Sequence, residues 1–116
     1  MIIVTARLVF ETRAHRDRAA ERSSAVQAAT RADEPGCLAY CFAPDPVVDT
    51  EMQVFELWED AASLEAHFAH PSYAAMVKAL AEAGGFVASI NRLYVADDRG
   101  PVYDEDGTPR IHALDR

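Results

Sequence analysis

The sequence has few of the residue types and spacings that identify a chemistry. Its 116 residues include two cysteines, four histidines and five glycines, and they form no nucleotide, phosphate or metal motif. Basic residues are also scarce, since eleven Lys and Arg stand against nineteen Asp and Glu and give a formal net charge of −8. That charge opposes a phosphate backbone, so we do not expect nucleic acid as a partner.

Long apolar runs are missing as well. The segment Met1–Arg7 has no positive region before its apolar residues, and its apolar run is too short for a signal peptide or a membrane span. We therefore expect a cytoplasmic protein without a membrane partner. With half of its residues hydrophobic and 26% charged, the chain has the composition and size of one globular domain.

The two cysteines are Cys37 and Cys41, four positions apart in a predicted strand. At about 3.3 Å per residue they lie roughly 13 Å apart on one face, too far for a disulfide. No other Cys or His flanks them, so we predict core thiols and no metal site.

Hydrophobic periodicity predicts the order β-α-β-β-α-β. Strands are predicted over residues 2–11, 37–42, 51–59 and 86–96, a helix over 13–32, and a helical region over 60–83 that is interrupted near Pro71. Thr12 and Asp60 are the predicted helix N-caps, and alanines with Val26 are the predicted apolar face of the first helix. This order predicts an α+β fold of the ferredoxin-like type, with four antiparallel strands and the helices on one face.

Helices on one face leave the other face of the sheet in water. Phe55 and Leu57 would be exposed there, and an apolar face of that size is typical of an interface. We therefore expect a homodimer that packs sheet against sheet. We assign residues 1–98 to the folded domain, and residues 99–116 to an acidic extension that is either a disordered tail or an arm on the partner subunit.

Four segments are similar to the antibiotic biosynthesis monooxygenase family, and the similarity covers roughly residues 2–96. They are Glu34-Pro35-Gly36-Cys37, Phe55-Glu56-Leu57-Trp58-Glu59-Asp60, Leu64-Glu65-Ala66-His67-Phe68 and Pro71-Ser72-Tyr73. The resemblance implies a dimeric α+β barrel with one pocket per subunit. It also implies oxidation of fused-ring phenols or hydroquinones by molecular oxygen, which some members perform without flavin, haem or metal.

The candidate catalytic residues are His67, Trp58 and Glu56. Glu56 and Trp58 share a strand face, and the short link to the next helix brings His67 over it. Imidazole groups ordinarily titrate near about pH 6.5, which suits a base that removes a phenolic proton. In this hypothesis Trp58 is a flat surface for an aromatic substrate, and Glu56 orients the imidazole or holds a substrate hydroxyl. Alternatively, His67 is a structural residue that bonds Glu56 or a backbone carbonyl, and Trp58 belongs to the core.

A second set of residues is assigned to substrate binding. Tyr73 is expected to close the pocket, and Arg7 and Arg92 to stabilise a phenolate if they face inward. The preferred alternative for both arginines is a solvated or interfacial side chain. Its members are Tyr73, Met76, Phe68, Arg7 and Arg92. The remaining histidines, His15, His70 and His112, are predicted to be surface residues.

The preferred hypothesis for function is a monooxygenase without cofactor or metal, which oxidises a quinol, a phenol or a polyketide-like aromatic with molecular oxygen. The alternative is a dimeric small-ligand-binding or stress-response protein without catalysis. Haem degradation is disfavoured, because haem-degrading relatives carry an asparagine in the first strand. Here the first strand has Thr5 and Arg7, and the chain's one asparagine, Asn91, is in the last strand.

Overall fold

The computed structural model describes residues 1–115, and its elements follow the predicted order. They are β1 (Ile2–Phe10), α1 (Arg13–Asp33), β2 (Cys37–Pro44), β3 (Glu51–Trp58), α2 (Ala61–Ala69), α3 (Pro71–Ala83) and β4 (Phe86–Val95). The four strands form one sheet in the order β2-β3-β1-β4, and every pair is antiparallel. The predicted α+β fold of the ferredoxin-like type is confirmed.

The helices cover one face of the sheet, which we call the inner face, and leave the opposite, open face uncovered. Alternation along β3 places Met52, Val54, Glu56 and Trp58 on the inner face, and each is at most 8% exposed. Phe55 lies on the open face and is 43% exposed. The predicted pattern of this strand is therefore confirmed, and the apolar open face is present.

Both predicted N-caps are confirmed. The Thr12 hydroxyl accepts a hydrogen bond from the backbone N–H of His15 at 3.2 Å, and the Asp60 carboxylate accepts one from the N–H of Ser63 at 2.8 Å. These bonds satisfy backbone donors that have no partner inside the helix.

The buried face of α1 is more polar than predicted. Besides Ala19 it buries Ser23, Gln27 and Thr30. The Gln27 side chain accepts from the backbone N–H of Phe42 at 2.8 Å and donates to its carbonyl oxygen at 3.1 Å. Gln27 is tolerated at a buried position because its amide supplies hydrogen bonds to the backbone of β2 along the edge of the sheet, where β2 has no neighbouring strand.

The prediction that both cysteines are core thiols on one face is wrong. Cys37 lies opposite Trp58 but Ala39 lies opposite Leu57, so Leu38 is an extra residue that forms a β-bulge. The bulge puts Cys37 on the inner face, where it packs against the core, and turns the exposed Cys41 to the open face. Within residues 1–115 no cluster of three or more His, Cys, Asp or Glu side chains is arranged to hold a metal ion.

The segment after β4 forms a small hairpin outside the sheet. Tyr103 and Pro109 make an antiparallel bridge, and the N–H of Asp104 donates to the Thr108 carbonyl at 3.0 Å. Its apolar side chains remain in water, with Val102 67% exposed and Ile111 76% exposed. Packing of this extension on a partner subunit stays a prediction. None of the helices in residues 1–115 has the length and hydropathy of a membrane span.

Candidate functional site

A cavity of about 470 Å³ lies between the inner face of the sheet and helices α2 and α3. Most of its wall is apolar, with side chains such as Leu8, Phe42, Val54, Met76, Leu80 and Phe86. Its polar groups come from Tyr40, Glu56, His67, Ser89 and Asn91. An apolar cavity with a few converging polar groups is the usual form of a small-molecule site.

His67 is held by a buried carboxylate. Its Nδ1 lies 2.8 Å from Oε1 of Glu34, and the two residues are 2% and 7% exposed. The hydroxyl of Ser72 donates to the other oxygen of Glu34 at 2.6 Å. Because a carboxylate can only accept, the hydrogen in the first bond belongs to Nδ1, and in the neutral form of this imidazole the lone pair is on Nε2. His67 lines the cavity.

Local turns bring these groups together. Glu34 follows the last residue of α1, and Gly36, with a φ of 84°, turns the chain into β2. Ser72 stands in the first turn of α3, where His70 caps the helix by accepting from the N–H of Ser72 at 3.1 Å. The ends of two helices thus supply the partners of an imidazole that projects from α2.

Trp58 packs against the imidazole of His67. Its ring lies on that of His67, with centroids 4.6 Å apart and planes inclined by 35°, and its indole N–H donates to Oε1 of Glu56 at 3.0 Å. It is fully buried and does not line the cavity. This placement does not support the predicted role of Trp58 as a surface for the substrate, because His67 lies against the indole and itself lines the cavity.

Glu56 does line the cavity, but it does not orient the imidazole as predicted, since Glu34 makes that bond. Burial raises the pKa of Glu56 above its ordinary value, and the negative charge of Glu34 raises it further. The hydrogen bond from Trp58 and the nearby His67 oppose this shift. The carboxyl group consequently keeps its proton to higher pH than an exposed glutamate.

Three of the predicted substrate-binding residues line the cavity. Met76 forms part of the wall and is 3% exposed, whereas Tyr73 and Phe68 are 41% and 55% exposed. The rings of Phe68 and Tyr73 meet edge to face at 5.3 Å, and Tyr73 also contacts the ring of His67 at 5.6 Å. Their contact with a substrate stays a prediction that this placement allows.

The structure does not support the roles assigned to Arg7 and Arg92. Arg7 lies opposite Gln53, and Arg92 lies opposite Thr5, so both side chains leave the sheet on the open face. Arg7 reaches Glu51 at 3.7 Å. Neither arginine lines the cavity, because strand alternation directs both away from it.

The other histidines lie outside the cavity. His112 is exposed, as predicted, while His15 and His70 are half-buried. His15 contacts the hydroxyl of Thr12 at 2.7 Å, and His70 contacts that of Ser72 at 2.9 Å.

A model of the family described as antibiotic biosynthesis monooxygenase matches residues 1–79, more than half of the chain. The chain belongs to this family. A proposed antibiotic biosynthesis monooxygenase from Deinococcus radiodurans has a similar structure, with a TM-score of 0.72 and 22% identity, covering 84% of this chain and 94% of that one. SnoaB, a cofactor-independent oxygenase from Streptomyces nogalater, has a TM-score of 0.61 and 17% identity, covering 84% and 93%. At such identities these structures show a common fold.

A match to a curated protein is shorter. The uncharacterized protein sll1783 of Synechocystis is 40% identical over 40 residues, which are 34% of this chain. The match spans only 27% of that protein.

In this antibiotic biosynthesis monooxygenase domain, sequence reasoning missed Glu34, Ser72 and Tyr40. Glu34 stands before Pro35 and Gly36, which signal a turn, and turn residues are ordinarily exposed. Tyr40 could have been found, because Tyr40 and Phe42 alternate on one face of a strand rich in small residues. Asn91 was noted only as an argument against haem degradation, yet it lines the cavity.

Proposed function

We propose that this protein is a cofactor-independent monooxygenase that oxidises a small aromatic substrate, such as a quinol, a phenol or a polyketide-like ring, with molecular oxygen. The observation that carries the proposal is the Glu34–His67 pair, an imidazole held through Nδ1 by a buried carboxylate in the wall of a mostly apolar cavity. Family membership and the shared fold with SnoaB, a cofactor-independent oxygenase, support the same reaction class.

The chemistry begins with a proton transfer. Nε2 of His67 takes the proton of a substrate hydroxyl, and the carboxylate of Glu34 stabilises the imidazolium that forms. The resulting phenolate is electron-rich enough to reduce oxygen. One oxygen atom then enters the substrate and the other leaves as water, which takes up two hydrogens of the substrate, one of them the proton held by His67. The substrate supplies all four electrons and leaves as a quinone with one more oxygen and two fewer hydrogens. The apolar wall excludes bulk water from the reactive phenolate.

The test is oxygen consumption by metal-stripped, flavin-free protein with a panel of hydroquinones and anthrones. We expect uptake with at least one member, and a fall of at least about tenfold in His67→Ala, the low end for loss of a general base. His112→Ala, a change at an exposed histidine of the extension, is the matched control and should retain full activity. No uptake with any member would contradict the proposal and favour the ligand-binding alternative.

We also propose that two copies associate through the open face, as expected from the sequence. Phe55, Ile90 and Tyr94 are 43%, 48% and 48% exposed on that face, and their burial would remove apolar surface from water. The cytoplasmic location stays a prediction.

A further inference from the structure

Tyr40 projects from β2 into the polar end of the cavity, opposite Glu56 on β3. It is 2% exposed, and three rings fix its position. Its centroid lies 5.1 Å from that of Phe42, 5.5 Å from that of His67 and 6.4 Å from that of Trp58. With its ring packed on several sides, the hydroxyl has a defined place in the wall.

The hydroxyl of Tyr40 has no protein partner. No group within residues 1–115 forms a hydrogen bond with it. Every fully enclosed polar side-chain atom in that part of the chain has a hydrogen-bond partner. The Tyr40 hydroxyl is therefore not fully enclosed, and it borders the cavity that Tyr40 lines. The hydroxyl can therefore donate to or accept from a ligand oxygen in the cavity without giving up a bond to the protein.

The surroundings keep Tyr40 protonated. Burial raises the pKa of its hydroxyl far above the ordinary 10.0, and the nearby Glu56 and Glu34 raise it further. Tyr40 therefore keeps its proton at pH values where an exposed tyrosine would lose it. Tyr40 is thus a hydrogen-bond donor that does not compete with the substrate for the base.

The carboxyl groups of Glu34 and Glu56 make this end of the cavity unfavourable for another anion. A neutral donor offsets that effect without adding charge, in the manner of an oxyanion hole. His67 and Tyr40 are in edge-to-face contact with planes inclined by 66°, so both line the same end of the cavity.

We propose that Tyr40 donates a hydrogen bond to the substrate oxygen from which His67 removes the proton. The inference rests on the proposed function and names a further substrate-contacting residue for it. Tyr40 holds the oxygen beside Nε2 and stabilises the phenolate, so the site prefers ligands with an ionisable oxygen at this end of the cavity.

The test compares the ionisation of bound 4-nitrophenol, whose phenolate absorbs visible light, in the wild type, Tyr40→Phe and Tyr103→Phe. Tyr40→Phe keeps the ring that packs on His67 and Trp58. We expect about tenfold less bound phenolate at a fixed pH in Tyr40→Phe, as for loss of a hydrogen bond to a charged group. Tyr103, 59% exposed in the extension, is the matched control and should behave as wild type.

Equal ionisation of the bound probe in the wild type and in Tyr40→Phe would overturn the proposal for Tyr40 while leaving the monooxygenase proposal intact. The oxygen-uptake panel tests the latter separately. Failure of 4-nitrophenol to bind the wild type would also overturn the proposal for Tyr40, whereas the monooxygenase proposal would still depend on oxygen uptake. Melting temperatures of the three proteins establish that a change in ionisation does not come from unfolding.

Discussion

Oε1 of Glu34 lies 2.8 Å from Nδ1 of His67, although the two residues are 33 positions apart in the chain. The bond joins the residue after α1 to the last turn of α2, and Ser72 at the start of α3 holds the second carboxylate oxygen. Three helices therefore meet at one carboxylate. Its orientation fixes the orientation and the tautomer of the imidazole that faces the cavity.

Replacement of Glu34 by glutamine tests the importance of this bond. The amide oxygen of Glu34→Gln can still accept from Nδ1, but it carries no charge to stabilise the imidazolium. We expect kcat/KM for the best aromatic substrate to fall at least about tenfold, measured by oxygen uptake. Glu65→Gln, at an exposed position of α2, is the control for loss of one charge and should leave kcat/KM unchanged. Full activity in Glu34→Gln would show that His67 acts without its partner.

Glu56 should make stability depend on pH. Because its pKa is raised above 4.5, the folded protein holds a proton that the unfolded chain has released once the pH exceeds that value. Stability therefore falls as pH rises from 4.5 to the raised pKa, and the penalty persists above it. Glu56→Gln removes this titration and keeps an acceptor for the indole of Trp58.

We expect Glu56→Gln to melt at a higher temperature than the wild type at about pH 8, with the difference shrinking as the pH falls toward about 4. Thermal denaturation followed across this range measures it. Glu65→Gln again controls for the loss of one carboxyl. A difference that grows toward acid pH would mean that Glu56 is stabilised as the anion.

The order of the elements along the chain and both caps could be predicted, because alternation and capping are local signals. The β-bulge at Leu38 could not, since one extra residue exchanges the two faces of a strand without changing its composition. Cys41 was misplaced for that reason. Arg7 and Arg92 were placed in the site without knowledge of strand register, and the register puts both on the open face.

The candidate site could be predicted only in part, because local sequence signals do not report contacts between distant segments. His67 and Glu56 lie close in sequence, and a short link determines how they meet. Glu34 reaches His67 only through the packing of α1 against the rest of the fold, and no periodicity reports such a contact. A carboxylate before a turn is ordinarily solvated, so its burial could not be expected from its neighbours.

Gly36 should be sensitive to any side chain. Its φ of 84° is unfavourable for alanine, and an added Cβ would collide with the Ser63 side chain. Gly84 has a φ of 77°, but a Cβ there would meet the ring of His15 at 3.4 Å, an ordinary contact. With a ψ of 170° Gly84 lies in a region of backbone conformation that is almost confined to glycine, so Gly84→Ala measures the backbone cost alone, about 1–3 kcal/mol.

We expect Gly36→Ala to destabilise the fold by at least about 2 kcal/mol, since the collision adds to the backbone cost. At about 4 °C per kcal/mol, its melting temperature should fall by roughly 8 °C or more, and that of Gly84→Ala by about 4–12 °C. Thermal denaturation measures both. A fall of less than about 4 °C in Gly36→Ala would show that α2 moves away from Gly36 without cost.

The proposed association through the open face predicts a mass of twice 12.7 kDa in solution. Phe55 lies in β3 near the middle of that face, so Phe55→Asp would put a charge into the interface. We expect this variant to be a monomer, because an unpaired charge buried in an apolar contact is strongly unfavourable. Light scattering coupled to size exclusion measures the mass. Val47→Asp makes a comparable change in the loop before β3, where the side chain is 88% exposed, and should remain dimeric.

A monomeric wild type at micromolar concentration, or a dimeric Phe55→Asp, would contradict the proposed association through the open face. Because the cavity lies on the opposite side of the sheet, Phe55→Asp should still bind 4-nitrophenol, which separates loss of the dimer from loss of the site.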